Sequence, residues 1–214
     1  MPYILTKSPS VGNQFLAELR DAQIQKDPLR FRKNLERLGE IFAYEISKTF
    51  KYTAAEVETP LGLAQVKLPA EQPVVATILR AGLPLHQGFL NYFDRADSAF
   101  IGAYRKSHKS GKFTIERNYF TAPDLSDRVV ILVDPMLATG QSMVLCCKEL
   151  LAQYKIKALH VVALIASTQG LAHVKAHLPK AHIWLGDVDD ELTSKSYIVP
   201  GLGDAGDLAF GEKL

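Results

Sequence analysis

The sequence predicts an α/β fold in which a parallel sheet is flanked by helices, with N-terminal helices in front and a β-hairpin arm attached. Three observations carry that prediction. The middle and latter parts of the chain hold four apolar runs of strand length, helix-like segments lie between most of them, and the first fifty residues show helical spacing.

The elements follow in order. Val11 to Ala22 places Phe15, Leu16 and Leu19 on one helical face. Pro28 opens a longer helix in which Leu35, Leu38, Ile41, Phe42 and Ile46 mark the apolar side. Thr53 to Glu58 and Leu63 to Leu68 are extended, and the turn signal Thr59-Pro60-Leu61-Gly62 between them makes a β-hairpin. Val74–Leu79, Ser98–Ala103, Val129–Val133 and Leu159–Ile165 are apolar throughout rather than alternating, as expected for strands covered on both faces. Gly82–Tyr92, Ser142–Tyr154 and Gln169–His177 supply helices for right-handed crossovers. Ligands of such sheets bind at the carboxyl ends of the strands.

Composition narrows the function classes. The chain has 214 residues, 47% hydrophobic and 22% charged, which suits one globular domain, residues 1–214. With 25 basic and 23 acidic side chains, the net charge of +2 gives no sign of a nucleic-acid or membrane-surface binder. Mean hydropathy is 0.00, and charges break every apolar run well before about 18 residues, so no membrane span is expected. Met1 to Lys7 does not have the pattern of a signal peptide. Cys146 and Cys147 are adjacent and lie in an apolar run, which suits packing in a reducing cytoplasm better than redox chemistry.

The chemistry gathers where strands end. After Val133 comes Asp134-Pro135-Met136-Leu137-Ala138-Thr139-Gly140-Gln141-Ser142, followed by a helix. The loop hydroxyls, the unbonded N–H groups of the next helix and its dipole form a phosphate cradle, and Asp134 can accept two hydrogen bonds from a vicinal diol. The same residues also read as an N-cap at Ser142 and an Asx-turn at Asp134, and composition alone leaves both readings open. Arg80 and Arg105 stand at two further strand tips, each able to grip phosphate with a planar fork of donors. No P-loop motif occurs. A literal GxGxxG at Gly201–Gly206 lies too close to the carboxyl end for a dinucleotide unit, so its glycines suit a loop approaching a flat ligand. His173 and His177 stand at i, i+4 without a third ligand, and Asp189-Asp190-Glu191 reads as an exposed acidic loop. His86, His108, His160 and His182 have no evident partners.

These residues resemble the uracil phosphoribosyltransferases. The likeness rests on Ile78–Leu83, Tyr104-Arg105, Val133–Gly140 and Tyr197–Asp207, in the right order over nearly the whole chain. It implies the type I phosphoribosyltransferase fold and conversion of uracil and 5-phospho-α-D-ribose 1-diphosphate (PRPP) to UMP and diphosphate. The resemblance implies Asp134, Arg105 and Asp204 as catalytic residues. It assigns PRPP to Arg80, Arg105, Asp134, Pro135, Met136, Leu137, Ala138, Thr139, Gly140, Gln141, Ser142 and Asp204. Uracil falls to Ile198, Gly203, Asp204 and Ala205, within a base-binding segment 187–214. Mg²⁺ is implied through PRPP rather than through a protein metal site. A homodimer or higher homo-oligomer is implied, and GTP is an effector of some relatives.

The chain departs from the family pattern at Gln141, where glycine is usual, at Lys106-Ser107 after Arg105, and along Leu192–Ser196. Many related enzymes carry two acids where this chain has Asp134-Pro135. Residues 104–121 are expected to form a flexible hairpin arm, with Lys106–Tyr119 either closing over PRPP or standing as a solvated basic arm. The alternative function is a nucleotide-responsive RNA-binding regulator on the same scaffold. A third is transfer to another base.

Overall fold

The computed structural model describes residues 1–107 and 113–212, with side chains described outside 103–118. The arm tip at 108–112, including His108, thus lies outside the described residues, as does the side chain of Arg105. A short strand β1 (Tyr3–Ile4) leads into α1 (Val11–Arg20) and α2 (Pro28–Ser47). The Ser10 hydroxyl caps α1 by accepting from the Gly12 N–H, and Asn13 Oδ1 accepts from the Ser10 N–H. Asp27 caps α2 by accepting from Leu29 and Arg30 N–H groups, with Pro28 in the first turn. Strands β2 (Tyr52–Thr59) and β3 (Gly62–Pro69) form the antiparallel hairpin expected from the turn between them, and among the described residues they pair with no other strand.

The remaining elements build the sheet: β4 (Val74–Leu79), α3 (Leu83–Leu90), β5 (Asp97–Ser107), β6 (Phe113–Thr121), β7 (Val129–Val133), β8 (Met136–Leu137), α4 (Gln141–Gln153), β9 (Ala158–Ser167), α5 (Thr168–His177) and β10 (His182–Asp189). A small antiparallel pair, β11 (Glu191–Leu192) with β12 (Ile198–Val199), and α6 (Ala205–Phe210) complete the described chain. The sheet order is β1-β10-β9-β7-β4-β5-β6, with β8 beside β9. All neighbours are parallel except β5 and β6. β5 runs four residues past the anticipated Ala103.

The sheet is covered on both faces, which explains the unbroken apolar runs. Along β7, Ile131 and Val133 enter the core under α1, α2 and α3, while Val130 and Leu132 face the α4 and α5 side. Cys146 and Cys147 are buried thiols in that second core. Helices α2 and α3 meet at two glycines: a Cβ on Gly39 would lie 2.4 Å from the Leu85 carbonyl oxygen, and one on Gly88 would lie 2.0 Å from that of Glu36. Among the described residues, no helix is long and apolar enough to cross a membrane.

Three sequence expectations are corrected. The segment His182–Asp189 is a full strand, although it did not register as one of the apolar runs. Asp189 is not part of an exposed acidic loop: it is 6% exposed and ion-paired to Arg20. His160 also has partners, accepting from the Trp184 indole N–H at 3.1 Å and stacking on His182.

Candidate active site

The chain proceeds from β4 to β5 on one side and returns to β7 on the other, so its order reverses between β4 and β7. Ligand crevices form at the carboxyl side of such a switch point. A cleft of about 690 Å³ lies there, walled by the segments after β4 and β7 and by the chain from Lys195 to Gly206.

The β7 wall is built from backbone contacts. The Asp134 N–H donates to Val162 O at 3.1 Å, and Pro135 O accepts from Leu164 and Ile165 N–H groups. Strand β8 pairs Met136 and Leu137 with Ile165 and Ala166, and the Ser167 hydroxyl donates to Ala138 O at 2.6 Å. Gly170 lets α5 press against this loop, since a Cβ there would lie 2.3 Å from Ala138 O. The turn into α4 is made at Gly140, whose φ of 74° is left-handed and suits glycine. Val144 N–H bonds back to Gly140 O, and Gln141 N–H reaches Thr139 Oγ1 at 3.4 Å. The first turn of a thirteen-residue helix therefore opens onto the cleft with its positive end.

Both sequence readings of this loop meet the geometry in part. Asp134 Oδ1 accepts from Met136 N–H at 3.3 Å, an Asx-type contact. Ser142 is not the N-cap; Gly140 is, without a side-chain cap, and Ser142 lines the cleft from inside the helix. Gln141 is the first helical residue and the positive φ belongs to Gly140, so the departure from glycine carries no backbone strain.

On the β4 side, Gly82 allows the loop to close over the strand tips, because a Cβ there would lie 2.1 Å from Thr77 Oγ1 and 3.1 Å from Val133 O. Arg80 follows a cis peptide after Leu79 and lines the cleft, with Nη2 at 3.3 Å from Asp207 Oδ1 and from Gly211 O. The carboxyl-terminal wall passes through a cis Val199–Pro200 peptide and two left-handed glycines, Gly201 at φ 59° and Gly203 at 92°. Asp204 caps α6, its Oδ1 accepting from Gly206 and Asp207 N–H groups.

The cleft thus gathers Arg80, Asp134, Met136, Leu137, Ala138, Thr139, Gly140, Ser142, Ile198, Gly203, Asp204 and Ala205. Pro135 and Gln141 do not line it: Pro135 is buried beneath the loop and Gln141 is exposed. Arg105 lies on β5, with its side chain outside the description. Lys195, Ser196, Tyr197 and Met143 were not anticipated as lining residues. The first three immediately precede Ile198, and that adjacency was the available signal.

A mostly parallel sheet with an acid-tipped loop feeding a helix N-terminus at its switch point defines a phosphoribosyltransferase of the type I fold. A hypoxanthine phosphoribosyltransferase from Staphylococcus aureus shares that fold at a TM-score of 0.50 and 14% identity, over 75% of this chain and 76% of that one. The family model of uracil phosphoribosyltransferase matches residues 6–212, and the chain belongs to that family. A uracil phosphoribosyltransferase of Porphyromonas gingivalis is 50% identical, covering 96% of this chain and 95% of the relative. The structure of the AQ2163 protein from Aquifex aeolicus superposes with a TM-score of 0.87 at 30% identity, over 99% of this chain and 98% of that one.

Proposed function

We propose that this chain transfers the 5-phosphoribosyl group of PRPP to uracil, releasing diphosphate and forming UMP. The observation that carries the reading is that one cleft joins the Asp134–Ser142 loop to the Ile198 and Gly203–Ala205 segment. The first has the form of a ribose-phosphate grip and the second offers main-chain edges to a flat ring.

In the reaction the C1–oxygen bond to diphosphate breaks as the bond to uracil N1 forms, with positive charge building on the ribose and the N1 proton passing to the departing diphosphate or water. Such a step needs positioning and electrostatic stabilisation rather than a covalent nucleophile. The Asp134 carboxylate accepts from the ribose diol and fixes the ring near the developing cation. N–H groups of the first α4 turn, with the Thr139 and Ser142 hydroxyls, hold the 5′-phosphate. Arg80 and Arg105 take the departing diphosphate, and Asp204 completes the PRPP contacts. Backbone groups around Ile198, Gly203 and Ala205 match uracil's acceptor–donor–acceptor edge, whereas cytosine would leave a buried group unpaired.

The oxygen donors on the cleft wall, the Asp134 and Asp204 carboxylates, suit a hard cation such as Mg²⁺ carried in on diphosphate oxygens. When bound, it neutralises charge on the leaving group. Assembly as a homodimer belongs to the same reading, and the exposed Leu61 and Leu63 of the β2–β3 hairpin offer apolar surface for a second copy. UMP formation from uracil and PRPP, measured with and without Mg²⁺, tests the proposal.

A further inference from the structure

Asp187 and Asp189 stand two apart on β10, so both carboxylates fall on one face of the strand. Asp189 is 6% exposed, and a buried carboxylate needs a partner. The partner is Arg20, in the last turn of α1. Its Nη1 donates to Asp189 Oδ2 at 2.8 Å and to Gly201 O at 3.0 Å. Its Nη2 donates to Asp189 Oδ1 at 2.7 Å and Asp187 Oδ2 at 3.0 Å. Asp189 Oδ2 also accepts from the Gly201 N–H at 2.8 Å, and Asp187 Oδ1 accepts from the Thr6 hydroxyl at 2.8 Å. Burial opposes the charge on Asp189, but Arg20 and the Gly201 N–H outweigh it and hold the carboxyl below its usual range.

Both main-chain polar groups of Gly201 are thus held by a single ion pair. Gly201 is buried, its φ is 59°, and a Cβ there would lie 2.2 Å from Ile198 O, so it is locked to the residue that opens the base-side wall. Two residues later comes Gly203, which lines the cleft as Ile198 does. Arg20 and Asp189 do not line the cleft, and the Asp134–Ser142 loop hangs on β9 through other bonds.

We propose that Arg20 and Asp189 are positioning residues for uracil: together they set the place of the 198–203 main chain that reads the base, while leaving the PRPP grip to other elements. This rests on the base-reading role given above to Ile198 and Gly203. An arginine is required because its planar fork spans four acceptor atoms on one strand and a loop, which a lysine's single charge centre does not.

The test is steady-state kinetics on full-length Arg20→Gln, Arg20→Lys and Asp189→Asn, with Arg30→Ala as a control. Arg30 pairs with Glu18 and ties α1 to α2 without touching the base-side loop. Arg20→Gln and Asp189→Asn should raise KM for uracil about tenfold or more and shift KM for PRPP by less than about threefold. Arg20→Lys should fall between them and the parent, and it keeps the charge if Arg20→Gln proves insoluble. Arg30→Ala should lower Tm and leave KM for uracil alone. Equal rises in both KM values, a lower Tm with KM for uracil unchanged, or the same uracil defect in Arg30→Ala would overturn the assignment. Amide exchange across 198–203 should quicken in the Arg20 and Asp189 variants, and unchanged exchange would also overturn it. That arm decides the point even if the parent chain makes no UMP, an outcome that would defeat the functional reading instead.

Discussion

Arg80 reaches across the cleft mouth to Asp207, Nη2 to Oδ1 at 3.3 Å, and so links the loop after β4 to α6. The pair is partly open to solvent, with side chains 42% and 31% exposed. Such contacts contribute at most about 1 kcal/mol to stability. The pairing therefore places the guanidinium at the cleft rather than holding the fold together.

From this, Arg80→Ala should change unfolding free energy by no more than about 1 kcal/mol. It should raise KM for PRPP by about tenfold or more, because a charge-assisted donor to diphosphate is lost. Urea unfolding and initial-rate kinetics on the same preparation check both halves.

Asp134→Ala should lower kcat/KM by about two orders of magnitude or more in a folded protein. Its main-chain N–H bond to Val162 O survives the substitution, so the loop keeps its anchor. Circular dichroism together with turnover measurements would show whether activity falls while the fold stays.

The two neighbours at the turn into α4 should respond in opposite ways. Gly140→Val forces a β-branched side chain into a φ of 74° and puts Cβ 2.8 Å from Gly170 O, so stability should fall by roughly 2 kcal/mol or more and PRPP binding with it. Gln141→Gly, which restores the usual family residue, should cost only about 1 kcal/mol in helix propensity and leave KM for PRPP within about twofold. Thermal melts and PRPP titrations distinguish the pair.

Stability should also fall with acid in a defined window. Burial, and then the neighbouring His182, push the His160 imidazole down to about 4. An unfolded histidine titrates near about 6.5, so between those values the unfolded chain binds more protons and stability rises with pH. The neutral His160 contribution is complete above about pH 6.5, declines as pH falls, and is gone near about pH 4. Burial lowers His86 as well, in the same direction. Glu18, held at about 2 by Arg30 and Asn34, acts separately: its contribution is full above its usual range and is lost toward pH 2. His160→Gln keeps an acceptor for Trp184 and should flatten the profile between about pH 6.5 and 4 relative to the parent, as read from urea midpoints.

Much of the fold was legible because long elements carry their own signals. The strands at Val74–Leu79 and Val129–Val133 are apolar on both faces, and Pro28 with Asp27 marks the start of α2. β10 was missed because Gly186, Asp187 and Asp189 interrupt its apolar run. The cation that pairs with Asp189 lies 169 positions away in sequence, so nothing local marks its burial. Strands of two residues, such as β8 and β12, are too short for any periodicity. At the site, the Asp134 loop and the glycine-bearing tail were legible as motifs. Their meeting in one cleft depends on the sheet order and on Arg20, which no spacing rule conveys.

The most direct measurement of the central claim is product analysis after incubating the full-length chain with PRPP, Mg²⁺ and a panel of uracil, cytosine, hypoxanthine and adenine. UMP and diphosphate should form in equal amounts from uracil, with no comparable product from the other bases. Nucleotide formation from a purine or from cytosine at a rate matching uracil, or no UMP at all from a folded preparation, would contradict the account.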